Sequence, residues 1–305
     1  MTRVRTPGAT LATDRDAVRT LLAEHLQERI GFQPEGCELR VLKRTERRLV
    51  VRYRLAGEDS QLDVVGKWYG TDRGQTVAHS LSSLRERGFG EAPFAVPEVY
   101  AYLPEYRVVL TEAVDGPILR ERLYEDPAAA SRAGAWLARF HRTDLTATRS
   151  CGPDKQRGAV ARWAEEVPEL RTVATELDAA LADLADPELP VHYDYYHSQI
   201  VLSGEATVVL DLDEAGMGDP AFDVAHFEAH LRLLALQWLG RPDGFDPAIE
   251  RFRSGYRSAG GRVERRPPLE AFAWFKLAHQ AYRRDAAAEE RDYALDAVRG
   301  SLSAA

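Results

Sequence analysis

His192-Tyr193-Asp194-Tyr195-Tyr196-His197-Ser198-Gln199 runs into two β-branched segments, residues 200–203 and 206–211, joined by Gly204-Glu205. Asp211-Leu212-Asp213-Glu214 follows, and then Gly218-Asp219-Pro220-Ala221-Phe222-Asp223. A glycine-containing dipeptide between two such segments signals a tight hairpin. Pairing Ser203 with Ala206 and counting outwards sets Gln199 against Leu210 and Ser198 against Asp211. Gln199 and Asp211 then emerge at one open end, next to the loop that carries Asp194. Two carboxylates and an amide oxygen converging there make a hard, oxygen-rich pocket suited to Mg²⁺. An ion held this way keeps waters and takes its other ligands from substrate phosphates.

Outward from this hairpin, the chain reads as strands first and helices afterwards. Val18, Leu21, Leu22, Leu26 and Ile30 predict one amphipathic helix over residues 12–31. The apolar period then changes to two, predicting strands at Leu39 and Val41, at Val51, Tyr53 and Leu55, and along residues 62–68, joined by turns at 43–48 and 57–60. A helix over 74–87 and a hairpin of residues 97–103 and 106–112 complete an α+β N-terminal lobe, residues 1–112, whose five strands and one helix follow the opening helix. Residues 113–305 read as a mostly helical C-terminal lobe. Asp126-Pro127 opens one helix, and others are expected over 157–185, 221–239, 245–258 and 268–298, the last either continuous or broken. The chain uses 36 arginines and only four lysines, at 43, 67, 155 and 276, so Lys67 inside an apolar strand calls for its own explanation.

In these residues the chain resembles the aminoglycoside phosphotransferase and choline-kinase-like family, relatives of the protein kinases. His192, Asp194 and Asp211 match that family's H-x-D-x-x-x-x-N loop and the metal-binding Asp ending the next strand. Gly218-Asp219-Pro220 with Asp223 is similar to its G-D-P-x-x-D segment. Lys67 stands where the third-strand lysine belongs, and Leu110-Thr111-Glu112-Ala113-Val114-Asp115-Gly116 looks like the hinge between lobes. The landmarks span about residues 35–235 in order.

The resemblance implies a two-lobed, protein-kinase-like phosphotransferase. ATP, with GTP equally open, would lie beneath the small sheet with its adenine on the backbone at Glu112, Ala113 and Val114. Lys67 would hold the α- and β-phosphates. Gln199 and Asp211 would hold Mg²⁺, and Asp194 would orient an acceptor hydroxyl and accept its proton. His192 is expected to buttress the loop and Asp219 to cap a helix with Pro220 at its first position. Asp223 either braces the loop backbone or places a favourable charge in a helix's first turn. Asp213 and Glu214 are supporting residues or solvated ones, and Tyr195, Tyr196 and His197 are core residues before they are an acceptor floor.

Three departures stand out. Gln199 replaces the family's usual Asn. The helix after Lys67 has no Glu in its first two turns, which leaves Gln75 as the nearest partner for the lysine. No G-x-G-x-x-G lies between the first two strands. Lys43-Arg44-Thr45-Glu46-Arg47-Arg48 stands there instead, a basic turn able to cover phosphates by charge or simply to face solvent.

Composition excludes several other classes. The 305 residues carry a net charge of −8, concentrated as −9 over residues 113–305 against +1 before them. That balance argues against a nucleic-acid partner; it suits a cationic small molecule or is simply the solvated faces of helices, the plainer reading of the charge pattern. Two cysteines rule out a disulfide framework or a four-cysteine zinc site. No apolar run approaches a membrane span of ~18–20 residues. Residues 1–16 lack the apolar core of a signal peptide, so a cytoplasmic protein is expected. The acceptor expected is a hydroxyl of a small metabolite or antibiotic. A kinase acting on Ser or Thr of a precursor peptide and a non-catalytic nucleotide-binding protein are the two alternatives.

Overall fold

The structure, a computed structural model, describes residues 8–147, 149–185 and 189–304. Two units make up the chain. One runs through Gly116 and includes Ser203–Asp213; the other comprises Pro117–Leu202 and Glu214–Ala305.

The first unit is built on an antiparallel sheet. Its strands Gly36–Arg44, Arg48–Ala56 and Gln61–Tyr69 lie side by side, followed across the sheet by Val108–Glu112 and then Val99–Leu103. Period-two alternation buries Leu49, Val51, Tyr53 and Leu55 on one face. Val18, Leu21, Leu22 and Leu26 cover that face, each fully buried side chain contributing about 1.5–3 kcal/mol. Gly66 permits this packing, because a Cβ there would lie 2.7 Å from Cε2 of Tyr53. The Tyr53 hydroxyl accepts from Trp68 Nε1 at 3.0 Å and donates to the Ala12 carbonyl at 2.9 Å. The opposite face presents Lys67, directly across from Val50 and Val109.

Local chemistry redraws several predicted boundaries. The single helix expected over 12–31 is a short turn, Leu11–Thr13, then a helix, Arg15–His25, then a second turn, Gln27–Ile30. Asp14 caps the helix afresh by accepting from the Asp16 and Ala17 amides, and Leu26 leaves helical backbone at its end. The helix Arg73–Leu84 stops short of the expected residue 87, in a wider turn that needs Gly88 at φ +88°. Two short strands absent from the sequence reading, Gly90–Glu91 and Phe94–Ala95, follow. Thr207 and Val208 of the strand Ala206–Val209 run parallel to Phe94 and Ala95, which is why Ser203–Asp213 belongs to this unit.

The second unit is helical. The helix expected over 157–185 is two, Pro153–Glu166 and Arg171–Ala182, because Pro168 has no N–H to continue the ladder. The stretch over 268–298 likewise divides into Pro267–Arg283 and Ala288–Leu302, with Asp285 at φ +51° between them. Phe272, Phe275 and Leu277 pack with Val160, Leu177, Phe222 and Val298 to form the core. No helix among the described residues is long and apolar enough to cross a membrane.

The helices Ala130–His141 and Asp246–Ser258 approach through glycines. A Cβ at Gly134 would lie 2.0 Å from the Phe252 carbonyl oxygen, and one at Gly255 would lie 2.0 Å from that of Ser131. Backbone cannot yield as a side chain does, so Gly134→Ala must push the helices apart. The expected loss is about 1–3 kcal/mol, visible as a lower melting temperature. An unchanged melt would show that this contact is loose.

Candidate functional site

In the second unit the short strand Leu189–Val191 pairs antiparallel with Gly216–Gly218 and delivers the chain to His192. Tyr193 then adopts φ +64°, a left-handed conformation costly for a residue with a side chain, by about 1–3 kcal/mol. Asp223 holds it there. One carboxylate oxygen accepts from the His192 amide at 2.6 Å and the other from the Tyr193 amide at 2.7 Å. His141 Nε2 lies 3.0 Å from the same carboxylate, and its Nδ1 is 2.9 Å from the Tyr256 hydroxyl. Burial raises the Asp223 carboxyl, but the hydrogen bonds and charge of His141 and His192 bring it below its ordinary value. Asp223 sits in the first turn of the helix Pro220–Leu239, which Asp219 caps through the Ala221 amide at 2.9 Å with Pro220 at the first position.

His192 is fully buried, and its Nδ1 accepts from the Asp194 amide at 3.4 Å. Tyr195 is also fully buried, stacked on Trp136, and its hydroxyl donates to the Ala133 carbonyl at 2.8 Å. Clamped on both sides, Asp194 keeps about a quarter of its side chain accessible (26 %). Lys276 Nζ donates to its Oδ1 at 2.9 Å. Burial pushes the Asp194 carboxyl up, yet the charge of the Lys276 ammonium and the hydrogen bond it gives more than reverse this and hold it well below the usual carboxylate range. Burial, and then Lys276, press the His226 imidazole down to about 4, so it is neutral near pH 7. Gln199 Nε2 is 3.5 Å from Asp194 Oδ2.

The pairing counted from sequence extends beyond the strands at this point. Gln199 belongs to the helical turn His197–Gln199, and the strands end at Ile200 and Val209. Asp211 lies beyond the ladder at φ +60°, a conformation a short polar residue tolerates better than most. Both residues lie just past the ends of these two strands.

In the first unit Lys67, Asp211 and Asp213 meet. Lys67 Nζ lies 2.7 Å from Asp211 Oδ1 and 2.5 Å from Asp213 Oδ1. Gln75 is therefore not the partner these contacts give the lysine; the acid comes from the segment after the strand Ala206–Val209. Asp213 is nearly inaccessible, and the Tyr69 hydroxyl donates to its Oδ1 at 3.0 Å. Arg48, from the basic turn, bonds to Asp213 and stands 3.3 Å from Asp211 Oδ1. Arg73 donates to the Asp213 carbonyl. Glu112 ends the strand Val108–Glu112 and is tied at two points, its amide donating to the Glu98 carbonyl at 2.9 Å and its Oε1 accepting from the Glu98 amide at 3.1 Å. Ala113 and Val114 follow it as half-buried coil.

Sequence reasoning missed Lys276, His226, His141 and Tyr69. A signal for Lys276 was present: one of four lysines, set in the apolar run Ala271-Phe272-Ala273-Trp274-Phe275-Lys276-Leu277.

Comparison with known proteins decides the family. The phosphotransferase enzyme family (APH) matches residues 43–268. The chain belongs to that family. It is a phosphotransferase of the small-molecule kinase type, acting on a hydroxyl acceptor. A search of curated proteins finds no match. Among solved structures, a choline/ethanolamine kinase family protein from Mesorhizobium loti is similar at 17 % identity and a TM-score of 0.63, covering 94 % of each chain. A thermostable mutant of the aminoglycoside phosphotransferase APH(4)-Ia, in ternary complex with AMP-PNP and hygromycin B, is similar at 15 % identity and a TM-score of 0.62, covering 94 % of this chain and 98 % of its own. An ethanolamine kinase from Plasmodium vivax is similar at 12 % identity and a TM-score of 0.57, covering 93 % and 86 %. These likenesses establish the two-part, protein-kinase-like α+β fold of the family.

Proposed function

We propose that this phosphotransferase moves the γ-phosphoryl group of ATP, or of GTP, to a hydroxyl of a small cationic metabolite or antibiotic. The observation that carries the reading is the pairing of two cations, Lys67 and Arg48, with two carboxylates, Asp211 and Asp213. Nucleotide phosphates and a divalent cation offer each of the four a new partner of opposite sign. A relative holding AMP-PNP and hygromycin B, and others titled choline or ethanolamine kinases, support a nucleotide donor and a small acceptor.

The residues present fit Mg²⁺. Asp211 offers a carboxylate and Gln199 would use its Oε1, both hard oxygen donors, and Mg²⁺ needs few protein ligands when phosphates and water supply the rest. Among the described residues no cluster of three or more His, Cys, Asp or Glu is arranged to hold a metal by itself. When bound, the ion would neutralise charge on the phosphates.

The remaining roles belong to the chain. Lys67 binds the phosphates, and Arg48 covers them by charge where a glycine loop is missing. The backbone at Glu112, Ala113 and Val114 takes the nucleotide base. Asp194 accepts the hydrogen bond of the acceptor hydroxyl and then its proton, as the acceptor oxygen bonds to phosphorus and the nucleoside diphosphate leaves. Its reduced basicity makes it chiefly an orienting group that takes the proton late, so catalysis is mainly positioning and charge stabilisation. His192, Asp219 and Asp223 hold the loop, and Asp213 anchors Lys67.

The test is a panel of hydroxylated small molecules incubated with γ-labelled ATP or GTP and Mg²⁺. A labelled small-molecule ester is the expected result. Label on peptides alone, or nucleotide binding without transfer, overturns the reading. Lys67→Ala should raise the KM for ATP or lower kcat, together at least about tenfold in kcat/KM, the equivalent of about 1.4 kcal/mol. An unchanged kcat/KM removes Lys67 from the nucleotide site.

A further inference from the structure

Lys276 lies on the helix Pro267–Arg283, which is buried along most of its length, and only 11 % of its side chain is accessible. An ammonium taken out of water is costly unless it is paired and hydrogen-bonded. An apolar residue would fill the same space at no such cost, so a lysine here points to a partner. Its Nζ lies 2.9 Å from Asp194 Oδ1, 3.0 Å from the Tyr193 carbonyl and 3.3 Å from His226 Nε2. Three acceptors match the three N–H bonds of an ammonium. His226 must then accept at Nε2 and carry its proton on Nδ1, an atom buried without a hydrogen-bond partner.

The two oxygens of Asp194 are thus unequal. Oδ1 receives Lys276 and stands 3.6 Å from His226 Nε2, whereas Oδ2 has Gln199 Nε2 at 3.5 Å, the outer limit of a hydrogen bond. A carboxylate torsion is soft and roughly two-fold, so an unpinned group samples many orientations. An ammonium fixed at the same time to the loop backbone and to the helix Pro220–Leu239 removes that freedom.

We propose that Lys276 is a positioning residue of the transfer reaction, pinning Asp194 through Oδ1 so that Oδ2 is the oxygen that meets the acceptor hydroxyl. The inference rests on reading Asp194 as the residue that orients the acceptor. In the step, the acceptor oxygen bonds to the γ-phosphorus, the bond to the bridging oxygen breaks with its electron pair leaving on the nucleoside diphosphate, and the hydroxyl proton passes to Oδ2.

The experiment compares wild type, Lys276→Met, Lys276→Gln, Lys276→Arg, Asp194→Asn and the Asp194→Asn/Lys276→Met double variant. Each is the full chain, assayed with γ-labelled ATP and Mg²⁺, both with water as acceptor and with the acceptor found by the panel, and corrected for folded fraction by thermal melting. Misplacement of a reacting group by about 1 Å costs on the order of 10²-fold, so Lys276→Met and Lys276→Gln should lower kcat between about tenfold and a hundredfold with the KM for ATP within about twofold. Lys276→Arg should recover part of the loss. The double variant should be no slower than Asp194→Asn. Wild-type kcat in both neutral variants, or a double variant slowed by the full product of the two single effects, overturns the proposal while the Asp194 reading stands. Wild-type kcat in Asp194→Asn refutes the Asp194 reading itself, and the proposal falls with it.

Discussion

Asp211→Asn is expected to slow phosphoryl transfer at saturating ATP by at least about a hundredfold, the equivalent of about 3 kcal/mol of lost transition-state stabilisation. The substitution keeps the shape of the side chain and removes the charge. An amide oxygen is a weaker ligand for a hard cation than a carboxylate oxygen, and raising Mg²⁺ should recover part of the rate. The folded state should change less, because Lys67 retains Asp213 at 2.5 Å and Arg48 retains its contact with the same carboxylate. Rates measured across a Mg²⁺ series check this. Full activity at every Mg²⁺ concentration would show that Asp211 serves only as the ion-pair partner of Lys67.

Asp194→Asn should lower kcat by about 10²–10⁴-fold, the usual contribution of a positioned base, with the KM for ATP little changed. From sequence alone the variant would be expected to melt like the wild type. The structure changes that expectation, since Lys276 Nζ would lose its counter-charge 2.9 Å away and keep the Tyr193 carbonyl. A lower melting temperature is therefore expected beside the rate loss, and the rate must be read per folded molecule. A variant that melts lower yet turns over normally would make Asp194 a structural loop residue.

Much of this was legible in the sequence. The strands Arg48–Ala56 and Gln61–Tyr69 announce themselves by period-two alternation, and Asp219-Pro220 is a capping pair that acts as read. Features set by tertiary contact were not legible. The hairpin count runs past the strands, which end at Ile200 and Val209, and the helical turn at Gln199 and the left-handed φ at Asp211 are set by their surroundings. Family resemblance points to the following helix for the partner of Lys67, where a glutamate usually stands. Instead an acid about 145 positions along the chain supplies it, a separation no local pattern reveals. The clamp of Asp223 on the His192 and Tyr193 amides was one of two open readings, since a first-turn aspartate looks the same whether it serves its own helix or a distant loop. Lys276 carried its signal in composition, but nothing in the sequence brings residue 276 to residue 194.

The most direct test of the central claim is ³¹P NMR of one sample holding the protein, Mg²⁺, ATP and the acceptor found by the panel, run in parallel with Asp194→Asn. The account predicts that the γ-phosphate resonance falls as ADP and a phosphomonoester of the acceptor rise in equal amounts, and that this exchange all but stops in the variant. Release of inorganic phosphate without an ester, or equal ester formation by the variant, would contradict it.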